Sequence, residues 1–309
     1  MSHPAVTVVI PAHNRLNYLT EALDTVAAQS FRDYEVIVVD DGSDEPVAQA
    51  AEAHLVRPRV IRQTRQGPAA ARNRGIFEAR AEWIAFLDSD DMWLPSKLER
   101  YFDAMRAAPG TDIFYGPMIP VDAAGRPVTG RTKPRHEGSI TQRLFASCFV
   151  DVPTVVCRKS LLVEAGGFDA ELPVCEDYDL WLRLSVRHSF GYIAEPLARR
   201  RLHDKRLSKS NMCRNLAVKS FMLQRFYQAH RGNGVLQEEP SLQRLSRVTF
   251  KAGREAWRAG HYAQASELLR TSRAYGRAPL RAMFLSLAAG TMMHLSRSSP
   301  QADQRLQAQ

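Results

Sequence analysis

Five aspartates fall in two tight groups, Asp40–Asp41 and Asp88, Asp90 and Asp91, each directly after a short apolar run. Like charges collected at such points repel one another. They are tolerated where a cation binds or where a ligand donates hydrogen bonds to them. The spacing Asp88-Ser-Asp90 supplies hard oxygen ligands suited to Mg²⁺ or Mn²⁺. Mg²⁺ takes one or two protein carboxylates and fills its remaining positions with water and phosphate oxygens. The pattern therefore points to a metal–diphosphate site; for an isolated Asp-Ser-Asp, a polar turn of capping aspartates is the competing reading. A third acidic pair, Glu176–Asp177, opens a segment in which Asp177, Leu180 and Leu184 recur at helical spacing. That places Asp177 at a helix start, where it is either a catalytic base or a cap and dipole partner. Asp179 and Arg183 stand four apart and can pair on the helix surface.

The elements that must hold these groups follow from the apolar pattern. Val6–Ile10, Val36–Val39, Arg59–Arg62 and Trp83–Leu87 are rich in β-branched or aromatic residues and are expected strands. Between them, Leu16–Val26, Pro46–Leu55 and Ala69–Ala79 have helical patterns. Strands alternating with helices imply a mainly parallel sheet, and such sheets bind ligands beyond the carboxyl ends of their strands. Both aspartate groups sit at such ends. Gly116–Gly138 is expected as loop or hairpin over that face. Residues 139–200 are expected to add a helix at Ile140–Phe149, a strand at Thr154–Arg158, a helix stopped at Gly166–Gly167, a helix near Asp179–Ser189 and a short strand at Tyr192–Ala194. Beyond residue 212 only helical patterns remain. The expected division is residues 1–211 and a helical, basic region 212–309, with a possible single tetratricopeptide-like helix pair at 251–277.

The segments Val6–Asn14, Val36–Ser43, Gly67–Gly75, Phe86–Asp91, Gly166–Asp169 and Glu176–Arg183 together resemble, in order and spacing, the family 2 glycosyltransferases with their GT-A nucleotide-binding fold. The resemblance covers residues 6–210. It implies a Rossmann-like α/β architecture with a C-terminal helical extension, and transfer of a sugar from a nucleoside diphosphate donor to an acceptor hydroxyl. It implies that Pro11, Ala12, His13 and Asn14 line the base and ribose pocket, and that Asp40 accepts from the imide N–H of a pyrimidine, making a UDP-sugar the default donor. By the same likeness Arg72 touches the base or the phosphates. Asp90 is implied as the direct Mn²⁺ or Mg²⁺ ligand, Asp88 as a ribose or metal partner, and His203 as a further metal ligand or diphosphate contact. Asp177 takes the place of the general base, with Glu176 positioning the acceptor, a saccharide or lipid-linked molecule. Attack in a single displacement would invert the anomeric centre, plausible chemistry for cell-surface polysaccharide or lipopolysaccharide assembly. A nucleotide-sugar-binding protein without transferase activity and a sugar-phosphate nucleotidyltransferase are the alternatives. The latter usually carries a Gly-rich phosphate loop after strand one, where this chain reads Pro11-Ala-His-Asn-Arg15.

Charge divides the chain unevenly. Residues 1–195 carry 21 Lys and Arg against 27 Asp and Glu; residues 196–309 carry 21 against 6, a surplus of +15. The basic third is either a solvated face or the contact for an anionic neighbour. No nucleic-acid-binding signature accompanies it, so an anionic membrane surface is the expected partner rather than DNA or RNA. The start of the chain lacks the features of a secretory signal, and the most apolar stretch, Leu280–Leu295, is interrupted by Arg281, Ser286, Gly290 and His294. Four cysteines without a CxxC pair are expected as reduced thiols. The expected location is cytoplasmic, peripheral on the inner face of the membrane if the basic region docks there. Oligomeric state is not legible.

Overall fold

A computed structural model describes residues 3–129, 135–203 and 211–276. The chain forms two compact units, Met1–Arg206 and Leu207–Gln309. In the first, strands β1 (Val6–Ala12), β2 (Tyr34–Asp41), β3 (Arg59–Gln63) and β4 (Trp83–Phe86) alternate with helices α1 (Leu16–Ala27), α2 (Val47–Ala53) and α3 (Pro68–Glu78). The strands pair in parallel in the order β3-β2-β1-β4. β1 is buried along its whole length, which explains a near-continuous apolar run rather than an alternating one. Helix α3 lies so close to β1 that a Cβ on Gly75 would come within 2.3 Å of Val9 Cγ1. Glycine there lets the helix bring Arg72 down onto the sheet edge.

Antiparallel β8 (Val156–Arg158) extends the sheet beyond β4, followed by β6 (Ile113–Tyr115) and β9 (Phe190–Tyr192). A separate three-stranded sheet has the order β5-β10-β7, formed by Met92–Trp93, Ala198–Arg201 and Met118–Val121. The expected loop at 116–138 thus contributes β7. Helix α4 (Lys97–Ala107), β5, β6 and β10 escaped the apolar pattern because they are short or strongly charged. Helix α5 (Thr141–Ala146) is shorter than expected, and α6 (Lys159–Glu164) is the helix expected before Gly166–Gly167. Helix α7 runs Glu176–Ser185 instead of Asp179–Ser189. Three acidic residues in its first turn favour this earlier start through the helix dipole.

The second unit contains α8 (Met212–His230), α9 (Glu238–Arg258) and α10 (Tyr262–Ala274). α9 is much longer than the expected pair allowed; residue 277 lies outside the described residues, as does Leu280–Leu295. No described helix is long and apolar enough to cross a membrane.

Candidate active site

The register of the sheet sets Ala12 beside Asp40, and Asp40 beside Arg62 on β3. Hydrogen bonds link the loops that leave these strands. Asn14 donates its backbone N–H to Ser43 Oγ at 2.8 Å, and its side-chain oxygen accepts from the Asp44 and Glu45 amides. His13 Nδ1 donates to the Asp41 carbonyl at 2.9 Å. Asn14 and Arg15 both have positive φ, of 56° and 62°. This sharp turn carries the chain from β1 into α1. Pro11 and Ala12 are buried at the carboxyl end of β1.

Asp40 is 0% exposed. Its Oδ1 accepts the Ser43 amide at 3.0 Å. Its Oδ2 lies 3.2 Å from Arg62 Nη1, a charge contact without hydrogen-bond alignment, and stays unsatisfied as a hydrogen-bond acceptor. A buried carboxylate oxygen without a donor is a site for one. The neighbouring Asp41 has a different task. Its two oxygens accept from Gln63 Nε2 and the Gln66 and Gly67 amides, fixing the approach to α3. The family likeness singles out Asp40 for the ligand; the anchoring role of Asp41 leaves no sequence signal.

Arg72 joins two motifs, one of them 104 residues further along the chain. It is 5% exposed. Its Nη2 donates to Asp88 Oδ1 at 2.7 Å and its Nη1 to Glu176 Oε1 at 2.8 Å. The guanidinium lies 5.3 Å from the centre of the Phe168 ring. Burial alone would discourage the charge, but the carboxylates of Asp88 and Glu176 outweigh it and hold Arg72 more firmly protonated than a free arginine. Next to it, Asn73 clasps the Phe168 backbone with both side-chain atoms, at 2.7 and 2.8 Å. Gly167 makes room for this clasp: a Cβ there would meet Asn73 Oδ1 at 2.5 Å. Consecutive residues of α3 thus anchor both the loop before α7 and the first residue of α7.

Asp177 follows directly. Its Oδ1 accepts the Tyr178 amide at 2.7 Å. Burial and the negative charge of Glu176 push its carboxyl up to about 6, with Arg72 pulling the other way. Such a group is ionised at neutral pH yet far more basic than an ordinary aspartate.

Asp90 occupies the other flank. Its Oδ2 lies 2.8 Å from His203 Nε2 and 2.8 Å from Arg15 Nη1. Arg15 gave no sequence signal beyond its place just after the first motif. Asp91 is turned inward, accepting the Arg201 amide at 3.0 Å, and burial together with Asp88 and Asp90 raises its carboxyl well above the usual range. Arg201, buried over the Tyr18 ring, binds Glu21 and the Ala123 carbonyl and so pins the strand that delivers His203. Trp93 is buried and donates to the Pro153 carbonyl, a packing position.

The structure therefore links Arg72, Asp88 and Glu176 directly, sets Asp177 beside them, and joins Asp90 to His203. Asp40 stands apart on β2, across β1 from β4. Among the described residues no group of three or more His, Cys, Asp or Glu side chains is placed to hold a metal. The pair Asp90 and His203 is too small for a closed structural site. It fits an ion that completes its shell with phosphate oxygens and water.

The fold is a mainly parallel α/β sheet with its acidic strand ends gathered on one edge. A family model described as "Glycosyl transferase family 2" matches residues 7–161. The chain belongs to this family. An uncharacterized glycosyltransferase of Haemophilus influenzae is 31% identical over 210 residues, 66% of this chain and 71% of that protein. The amylovoran biosynthesis glycosyltransferase AmsB of Erwinia amylovora is 31% identical over 212 residues, 64% and 70% of the two chains. An uncharacterized glycosyltransferase of Rickettsia bellii is 30% identical over 200 residues, 64% of this chain, but only 29% of that longer protein is matched. Among solved structures, Staphylococcus aureus TarS 1–349 in complex with UDP superposes with a TM-score of 0.65 at 18% identity, covering 92% of this chain and 88% of that one. The mannosyltransferase PcManGT of Pyrobaculum calidifontis, in complex with GDP-Man and Mn²⁺, gives 0.61 at 18%, covering 96% and 81%. These likenesses show a GT-A fold.

Proposed function

We propose that the chain transfers a sugar from a nucleoside diphosphate-sugar, UDP-linked by default, to an acceptor hydroxyl with inversion at the anomeric carbon. The observation that carries this reading is the Asp88–Arg72–Glu176 link, which sets the basic carboxylate of Asp177 against the Asp-x-Asp turn. The unsatisfied Oδ2 of Asp40 would accept the base imide N–H, with Pro11, Ala12, His13 and Asn14 around the nucleoside. Asp88 would hold the ribose or share the ion. Asp90 and His203 would hold Mn²⁺ or Mg²⁺, which neutralises charge developing on the departing diphosphate. Asp177 takes the proton from the acceptor hydroxyl as that oxygen attacks, and Glu176, held by Arg72, orients the acceptor. One displacement needs no nucleophilic carboxylate of the protein. The likeness to AmsB, a glycosyltransferase of amylovoran biosynthesis, supports a saccharide acceptor in surface polysaccharide assembly.

A thermal-shift screen of UDP, dTDP and GDP with Mn²⁺ or Mg²⁺ tests the donor. Stabilisation should grow with UDP concentration and require the ion. Release of UDP in step with acceptor glycosylation is the expected reaction. Pyrophosphate release from a nucleoside triphosphate would instead establish a nucleotidyltransferase, and donor binding without turnover a binding protein.

A further inference from the structure

Helix α9 carries two faces. Ser241, Leu245, Val248, Ala252 and Ala256 are buried and recur at core-facing helical spacing. Arg244, Arg247, Lys251, Arg254 and Arg258 recur at intervals of three, four, three and four residues. At about 100° per residue these five cations fall within one narrow stripe, turned away from the buried face and about 21 Å long. Arg247, Lys251 and Arg258 are exposed, and Arg244 and Arg254 partly so. The acid beside the stripe is Glu255, which pairs with Arg254 at 3.4 Å and Arg258 at 2.9 Å. One acid against five bases leaves a strong surplus along one straight line.

We propose that this stripe of α9 docks the protein on an anionic lipid bilayer. Charge complementarity and shape choose the partner. Rows of four to eight Lys and Arg on one helix attract anionic headgroups, and a straight row meets a flat surface along its full length. Single-stranded nucleic acid is bound by cations interleaved with open stacking rings. Here the rings next to the stripe, Phe250 and Trp257, are half-buried, and Trp257 is already engaged edge-on with Tyr262 at 5.1 Å. The buried face of α9 is committed to its own unit, so the contact is electrostatic and superficial, without insertion. It does not rest on the transfer reading.

The test is sedimentation of the full chain with phosphatidylcholine vesicles, with and without a phosphatidylglycerol fraction, in the absence of any sugar nucleotide. Wild type should bind the anionic vesicles only, and lose them as salt rises. R247Q/K251Q/R258Q should weaken binding roughly a hundredfold, about fivefold for each charge near the surface. The control R32Q/R100Q/R106Q removes three charges from the other unit and should bind as wild type. R247Q alone, with its expected fivefold loss, keeps the test decisive if the triple variant melts early. Equal binding by the stripe variants and wild type overturns the proposal, as does equal binding to neutral vesicles. Failure on anionic vesicles combined with salt-sensitive binding of a DNA duplex would overturn it in favour of nucleic acid.

Discussion

Asp88 and Asp90 follow β4 and Asp177 stands at the head of α7, two segments joined through Arg72, yet Asp177 is balanced in the opposite way to the other two. Asp88 and Asp90 each have a cationic partner: Arg72 on the first, Arg15 on the second. Asp177 accepts only a backbone amide, and it stands next to another acid. A carboxylate in an ion pair has oxygens already placed to accept from cations and ribose hydroxyls. An unbalanced one is driven toward protonation and becomes a base. The difference supports the proposed division, with binding at the β4 turn and proton transfer at α7.

The strongest attack on that contrast is Asp177→Asn. Transfer should fall by about a thousandfold, within the range ascribed to a general base, while UDP binding by calorimetry stays unchanged. The same variant should be more stable. With the folded carboxyl at about 6 against roughly 3.9 in the unfolded chain, ionising Asp177 costs the native state. That cost is absent below about pH 4, builds as pH rises to 6 and is constant above. Asparagine removes it, giving up to about 2 kcal/mol at pH 7 after allowance for partial exposure and several degrees in melting temperature. In the wild type, transfer should decline below about pH 6. Loss of activity accompanied by loss of stability would mean that Asp177 is a structural cap.

Arg72→Met strikes the joint between the two groups. Asp88 and Glu176 would keep their charges in a buried setting without a counterion, a loss of about 3–5 kcal/mol. The attraction that restrains Asp177 also disappears, so the acidic limb of the pH–rate profile should move upward, with transfer at neutral pH down about thirtyfold, part of a general base's usual contribution. Urea melts and the pH profile separate the two consequences. An unshifted limb in a folded variant would show that the two groups act independently.

How much of this was legible beforehand depended on range. β1–β4 and their helices follow from local apolar periodicity, and the strand-end rule put Asp40 and Asp88–Asp91 on one edge. Within Asp40–Asp41 the family likeness singled out Asp40, but the anchoring role of Asp41 was not legible, because it depends on which loop amides that carboxylate meets. Arg72 could be placed near the crevice, but its grip on Glu176 spans 104 residues and leaves no local pattern. β10 reads as a run of arginines, so only tertiary structure shows that Arg201 is buried while its neighbours are half-exposed. In the second unit the basic surplus was visible, whereas its alignment on α9 required knowing that the helix begins at Glu238.

The finest test concerns Arg15, on the bound flank. Its guanidinium and the His203 ring meet the same oxygen of Asp90. A divalent ion taking that oxygen must displace at least the arginine. Arg15 would then be a resident cation that balances Asp90 until donor and metal arrive. The pair is partly exposed, so solvent screens it and the competition is worth only about 0.5–1 kcal/mol. Arg15→Gln should therefore tighten Mn²⁺ binding about threefold without nucleotide, measured by titration, and the gain should shrink once UDP is present. Weaker Mn²⁺ binding in the variant would mean that Arg15 supports the ion site, and the contrast drawn with Asp177 would then fail at Asp90.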